Sequence, residues 1–293
     1  MKLHLLGCAS GIAGADLGSG NGPLTMQKST FLADLSVPVV WKDMLKGVPG
    51  REMDKAVSTL CTALAKQTAK LTRDKAFFSV LGGDHSCAIG TWSGVFDAKY
   101  AEGDIGLIWI DAHMDSHTPE TSETGRIHGM PLAALMGHGY AALTEILNKQ
   151  PKFKPENVSL IGVRSYESGE ANLLKRLNVK VYFMDEVKQR GFDAVLQEAV
   201  KRVSQHTIGY GISLDLDGID PLDAPGVDVP EPDGIRALDL QVGLKNIAHD
   251  PRLIAAEIVE FDPQYDEDRK TEQLVVSVLE ILAQGRMAYG HKA

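Results

Sequence analysis

Short apolar runs alternate with longer amphipathic segments along the chain. The runs Lys2–Ala9, Val37–Trp41, Ala76–Leu81, Gly106–Ile110, Asn157–Val163, Val179–Met184, Gly209–Leu214 and Ala255–Phe261 predict strands. Several are apolar at both alternate sets of positions, as in LIWI (107–110) and FFSVL (77–81). Burial on both faces of a parallel sheet requires that composition. Between them, Glu52–Lys70, Phe192–Ser204, Leu238–His249 and Lys270–Gln284 repeat apolar positions at helical spacing. The alternation implies βαβ units with right-handed crossovers, and so a three-layer α/β (αβα) fold. No internal repeat or low-complexity tract breaks it, and Pro151–Glu156 reads as a helix-to-strand connection. Residues 1–293 are therefore expected to form one domain.

Composition narrows the function. The chain has 293 residues, enough to bury a large core, and 30 basic against 39 acidic residues give it a net charge of −9. A surface of that sign repels phosphate backbones and anionic lipid, so neither nucleic acid nor membrane is an expected partner. No apolar run approaches the roughly 20 residues of a membrane-spanning helix. The opening MKLHLLGCAS fits a strand better than a signal peptide. Cys8, Cys61 and Cys87 lack paired spacing, so a reducing cytoplasm is the expected setting.

The Gly-rich stretch Gly11–Pro23 lacks both the GxGxxG spacing and the GK[ST] ending of nucleotide loops, and is expected to be a flexible loop at a strand's carboxyl end. The chemistry lies in three other places. Gly82-Gly83-Asp84-His85-Ser86, Asp111-Ala112-His113-Met114-Asp115 and Asp215-Leu216-Asp217 each follow a strongly apolar strand. All three should surface at one carboxyl edge of the sheet, where ligands sit in open α/β folds. Asp111, His113 and Asp115 are two apart, as are Asp215 and Asp217, so in extended backbone each set can converge on one side. An Asp-His pair after a strand is, by itself, more often a helix cap. Aspartates at an apolar strand end, however, are costly to bury unless paired or metal-bound. With His85 the clusters offer four aspartates and two histidines. That donor set is too anionic for a single zinc and suits two harder divalent ions sharing carboxylates, with Mn²⁺ the leading candidate.

GGDHS, DAHMD and SLDLDGIDP together resemble the signature set of the ureohydrolases, a family of arginases, agmatinases, guanidinobutyrases and formimidoylglutamases. The likeness runs through nearly the whole chain and is nearest to the arginases. It implies a central, mostly parallel sheet of about eight strands and two Mn²⁺ ions at its carboxyl edge. It also implies that His85, Asp111, Asp115 and Asp215 hold one ion, and that His113, Asp111, Asp215 and Asp217 hold the other. Asp115 would orient a hydroxide bridging the two metals, His128 would shuttle a proton to the leaving amine, and Glu260 would pair with the substrate guanidinium. The family tends to trimers and hexamers, so a homo-oligomer is expected.

The stretch Asp111–Pro131 aligns without gaps to the arginase loop. Ser122 and Thr124 keep hydroxyls where arginases bind the substrate α-carboxylate. His117 and Arg126 stand where arginases usually carry Asn, Glu167 stands where they carry an Asp that meets the α-amino group, and Val229 replaces a Thr. The charges keep a consistent logic: Arg126 and His117 suit a carboxylate, and Glu167 suits an ammonium. The resemblance therefore points to a guanidino amino acid, L-arginine first, cleaved to urea and L-ornithine. Agmatine, guanidinobutyrate or formimidoylglutamate as substrate is the alternative, and a catalytically silent metal-binding protein is the reading from another class. The remaining His4, His138, His206, His249 and His291 have no cluster around them and are expected to be structural or solvated.

Overall fold

A computed structural model describes residues 2–290, so His291 lies outside the described residues. Eight strands, β1 (Leu3–Ala9), β2 (Val39–Lys46), β3 (Phe78–Gly82), β4 (Gly106–Ile110), β5 (Val158–Val163), β6 (Lys180–Phe183), β7 (Tyr210–Asp215) and β8 (Leu253–Val259), form a single sheet. Their spatial order is β2-β1-β3-β8-β7-β4-β5-β6, and every neighbouring pair is parallel. Strands β3, β4, β5 and β7 are buried at every residue, as their unbroken apolar runs predict. The edge strand β2 is only half-buried, and it runs five residues past the predicted end at Trp41. One side of an edge strand faces solvent, which weakens its apolar signal.

Chain order explains where the site sits. β7 and β8 enter last and fill the interval between β3 and β4. The three strands whose ends carry the acidic and histidine clusters, with β8 between β3 and β7, thus stand together at the centre of the sheet. Around them, the helices Met53–Arg73, Phe192–Val203, Ala237–Ile247 and Lys270–Gly290 occupy the four amphipathic segments read from the sequence. Ala88–Lys99 is a further helix, buried from Ala88 through Phe96. Because it is covered on all sides it has no polar stripe, so periodicity could not reveal it.

Two local devices hold the carboxyl edge together. At Gly83 an added Cβ would stand 2.0 Å from the Ser10 carbonyl oxygen, so only glycine lets the turn after β3 lie against the segment after β1. There the Gly83 N–H donates to the Cys8 carbonyl (2.9 Å) and the Asp84 N–H to that of Ser10 (2.8 Å). The second device is Arg164, just beyond β5. Its guanidinium donates to the carbonyls of Asp217 (2.7 Å), Glu231 (2.8 Å), Pro232 (2.9 Å), Gly162 (3.2 Å) and Gly218 (3.2 Å). A planar fork of five N–H donors is the one side chain that can satisfy so many oxygens at once. It ties the turn after β7 to the loop over it. Arg164→Met should lower unfolding stability by about 2–4 kcal/mol, because carbonyls would lose their donor. Equilibrium denaturation checks this, and a loss below about 0.5 kcal/mol would mean water replaces the guanidinium without penalty.

Candidate metal centre

The turn after β3 gives its two polar residues different work. Asp84 caps the following helical turn, accepting from the Ser86 N–H (3.0 Å), and its other oxygen accepts from the Ala13 N–H (3.2 Å). His85 instead enters the sheet's edge, fully buried. Its Nε2 lies 2.9 Å from the Ser213 hydroxyl, which donates to the buried Glu257 carboxylate at 2.9 Å. Since Ser213 gives its proton to Glu257, it must accept from His85 Nε2–H, which turns Nδ1 toward the aspartates and makes it the ring nitrogen placed for a metal. That Nδ1 stands 2.9 Å from Asp215 Oδ2, 3.1 Å from Asp115 Oδ2 and 3.4 Å from Asp111 Oδ2. The indole of Trp109 stacks on His85 at 4.0 Å and donates to Asp111 Oδ2 at 2.8 Å, fixing both groups.

His113 and Asp217 form the second half. His113 Nδ1 lies 3.0 Å from Asp217 Oδ2 and 3.5 Å from Asp111 Oδ1. The His113 N–H donates to Asp111 Oδ1 (2.6 Å), and the Asp217 N–H to Asp215 Oδ1 (2.9 Å). Two donor groups result: His85, Asp111, Asp115 and Asp215, then Asp111, His113 and Asp217, each with ligand atoms within 4.8 Å of one another. Asp111 is common to both. Asp215 joins the first group and reaches the second through the Asp217 N–H, so its expected bridging place is not closed by side-chain proximity alone.

The residues fit divalent metal. His85 Nδ1 and Asp115 Oδ2 are buried and accept or donate no hydrogen bond, although they face each other's groups. Atoms that converge without bonding to one another leave a point between them for a cation. Electrostatics points the same way. Burial and the charges of Asp217 and Asp111 hold Asp215 well above the ordinary carboxylate range. Burial and Asp111 push Asp115 up to about 7. Burial opposes charge on both imidazoles, yet the surrounding aspartates raise His85 and His113 far above the usual histidine value. Such crowded negative charge is what a dication compensates.

Asp115 (φ 47°) and Glu260 (φ 64°) both hold left-handed backbone conformations that L-residues seldom adopt. Glu260, just beyond β8, accepts the His85 N–H at 2.7 Å and lies 3.5 Å from His128 Nδ1. A cavity of about 220 Å³ opens above the cluster, with His113, Asp115, Asp215 and Asp217 at one end. Every residue expected to meet substrate borders it: His117, Ser122, Thr124, Arg126 and Glu167, with His128 and Glu260. The Ser122 and Thr124 hydroxyls accept backbone N–H groups of Gly125 (3.0 Å) and Arg126 (3.3 Å), which leaves their O–H donors free for an anion.

A family model described as the arginase family matches residues 13–283. This chain belongs to the arginase family. It is 44% identical over 225 residues to an arginase of Bacillus caldovelox, covering 77% of this chain and 74% of that one. An arginase of Bacillus subtilis (strain 168) is 42% identical over 219 residues, 75% of this chain and 73% of that one. Among solved structures, native Bacillus caldovelox arginase superposes with a TM-score of 0.88 at 35% identity, over 96% of this chain and 97% of that one. The Entamoeba histolytica arginase in complex with L-ornithine gives 0.87 at 27% identity, over 96% and 98%.

One placement differs from expectation. His117 does not offer a free donor to a carboxylate. Its Nδ1 meets Thr121 Oγ1 (3.2 Å), while Nε2 meets Glu167 Oε2 (3.0 Å) and Glu170 Oε2 (2.7 Å). Those carboxylates, Glu170 first, outweigh burial and raise the imidazole to about 9. Glu170 itself, buried and bordering the cavity, was missed. Its signal was present: Glu167 and Glu170 are three apart at the start of the helix Ser168–Leu177, which puts both on one face. Ser213 and Glu257 were missed too, because a polar residue inside a strand shows its use only once its neighbour is known.

Ser213→Ala should weaken metal binding about 10- to 100-fold with little change in fold, since the imidazole loses the partner that sets its tautomer. Equilibrium dialysis against metal buffers measures it, and wild-type affinity would remove Ser213 from the site. Asp215→Ala should cut bound metal by at least about half and nearly abolish turnover. Full metal content by elemental analysis together with wild-type activity would sink the metal assignment.

Proposed function

We propose that this arginase-family chain hydrolyses L-arginine to L-ornithine and urea with two Mn²⁺ ions per chain. One observation carries the reading: two imidazole–carboxylate groups sharing Asp111 border a cavity that Arg126, Glu167 and Glu170 also line. An α-amino acid with a guanidino tail presents the complementary charges. The oxygen-rich donor set with two imidazoles favours Mn²⁺ over zinc. When bound, the ions lower the pKa of water enough to supply a nucleophile near neutral pH. His85, Asp111, Asp115 and Asp215 would hold one, and His113, Asp111, Asp215 and Asp217 the other. We extend the reading to a homo-oligomer in a reducing cytoplasm, in keeping with three free buried cysteines.

The chain's own groups do the rest. Asp115, held in its strained backbone, accepts a hydrogen bond from the attacking water and orients it. Glu260 is anchored by the His85 N–H and sits where a guanidinium would enter above the acidic floor. His128 is the proton donor to the leaving nitrogen. Burial would lower it, but Glu260, with Asp115 and Asp84, prevails and raises it to about 9, so it carries a proton through the neutral range. At the far end Arg126, Ser122 and Thr124 take the α-carboxylate, and Glu167 with Glu170 takes the α-ammonium.

Urea release from L-arginine, agmatine and 4-guanidinobutyrate tests the assignment: arginine should give the highest kcat/KM, and a higher value for either other compound would overturn it. Since His128 donates only while protonated, kcat should fall above about pH 9. Glu260→Gln should bring that limb down towards the ordinary histidine value of about 6.5. A pH–rate profile whose alkaline limb ignores position 260 would remove His128 as the donor. Arg126 is exposed in the free protein, so its contribution is smaller than that of a buried pair. Arg126→Ala should raise KM for arginine about 5- to 30-fold and leave agmatine little changed. Equal effects on both would mean the residue never meets the carboxylate.

A further inference from the structure

An exposed carboxylate of the cavity, Glu167, is wired to the loop that carries His113 and Asp115. Met114 lies between His113 and Asp115, and its N–H donates to Glu170 Oε1 at 3.1 Å. Glu170 Oε2 takes His117 Nε2 at 2.7 Å, and the same Nε2 reaches Glu167 Oε2 at 3.0 Å. His117 is rigid at its other points. Its backbone N–H donates to the Gly129 carbonyl (2.9 Å) and its Nδ1 meets Thr121 Oγ1 (3.2 Å). Of the two carboxylates, Glu170 is 4% exposed at its side chain and Glu167 is 66% exposed. Left alone, a Glu as open as Glu167 would sample several rotamers in water. The imidazole turns it into a fixed part of the wall.

We infer that His117 is a positioning residue that acts as a spacer, fixing Glu167 at a set distance from the metal loop and so selecting guanidino amino acids by chain length. The inference rests on the arginine reading above. With the guanidinium end set at the floor and the ammonium anchor held by the strut, a substrate one methylene longer or shorter misses one end. A methylene misfit costs about 10- to 200-fold in kcat/KM where both ends are held. If the strut is cut, Glu167 is free to follow the substrate, and the penalty for the wrong length shrinks while arginine itself binds less well.

The test compares L-arginine with L-homoarginine in the metal-loaded enzyme and in two variants. His117→Gln keeps an N–H donor near the position of Nε2, and His117→Ala has none. His117→Ala should raise KM for arginine about tenfold with kcat within about threefold, and should lower the arginine-to-homoarginine ratio of kcat/KM about tenfold. His117→Gln should keep that ratio within about threefold of wild type. Loss of packing alone would not lower selectivity for length while sparing kcat. A ratio unchanged in His117→Ala, or equally reduced in His117→Gln, overturns the spacer. If His117→Ala loses metal, Glu167→Ala, which leaves the metal loop untouched, gives the same comparison: its ratio must fall, and an unchanged ratio overturns the proposal. A wild-type enzyme that prefers agmatine would defeat the arginine reading, whereas an arginine-preferring enzyme with unaltered length selectivity defeats the spacer alone.

Discussion

Asp111, Asp115, Asp215 and Asp217 lie buried together with His85 at the centre of the sheet's carboxyl edge, and most of the surrounding structure serves to keep them there. Carboxylates out of water repel one another and lack hydration, so such a cluster persists only with counter-charge and many directed hydrogen bonds. Backbone N–H groups supply part of this: that of His113 to Asp111, that of Asp217 to Asp215, and that of Ala112 to Asp217. Trp109 supplies another donor and a stacking face. The remaining negative charge, with unbonded His85 Nδ1 and Asp115 Oδ2 facing inward, is the part that bound metal would answer.

That constraint accounts for features with no other evident purpose. Arg164 fixes the turn carrying Asp217 through carbonyl oxygens rather than through the carboxylates, so its positive charge is not spent on a metal ligand. Glu257 is wholly buried within β8, where a carboxylate would ordinarily be excluded, and is satisfied by Ser213, Thr91 and Cys87. Glu260, three residues after Glu257 and just beyond the end of β8, joins the His85 backbone to the His128 ring. The inner cluster and Glu260 are thus one hydrogen-bonded assembly.

Outward from the floor the cavity changes character. Asp115, Asp215, Asp217 and Glu260 are buried, whereas Arg126, Thr124 and Glu167 are exposed on loops. Chemistry that needs sub-ångström placement sits on strand ends, and recognition sits on segments that can vary without disturbing the sheet. His117, Arg126, Glu167 and Val229 all border the cavity.

Much of this was legible from residues alone. Unbroken apolar runs identified the buried parallel strands, because two covered faces leave no polar positions. The i, i+2 donors were expected to converge through extended backbone; instead Asp115 is left-handed (φ 47°) and Asp217 lies in the helical turn Leu216–Gly218, so turns bring the groups together. Strand order was not legible: nothing local says that β7 and β8 enter between β3 and β4, yet that insertion makes the three clusters neighbours. The helix Ala88–Lys99 escaped because a helix buried all round carries no period to read. Ser213 and Glu257 escaped because a hydrogen bond between residues 44 positions apart has no signature in either segment. His117 shows the limit most plainly. Its type suggested an anion partner, and only the packed structure decided that its nitrogens go to Thr121, Glu167 and Glu170. Sequence determines which groups can bond and on which face of their own element they lie; which partner each one meets depends on how distant elements pack, and that is settled only in three dimensions.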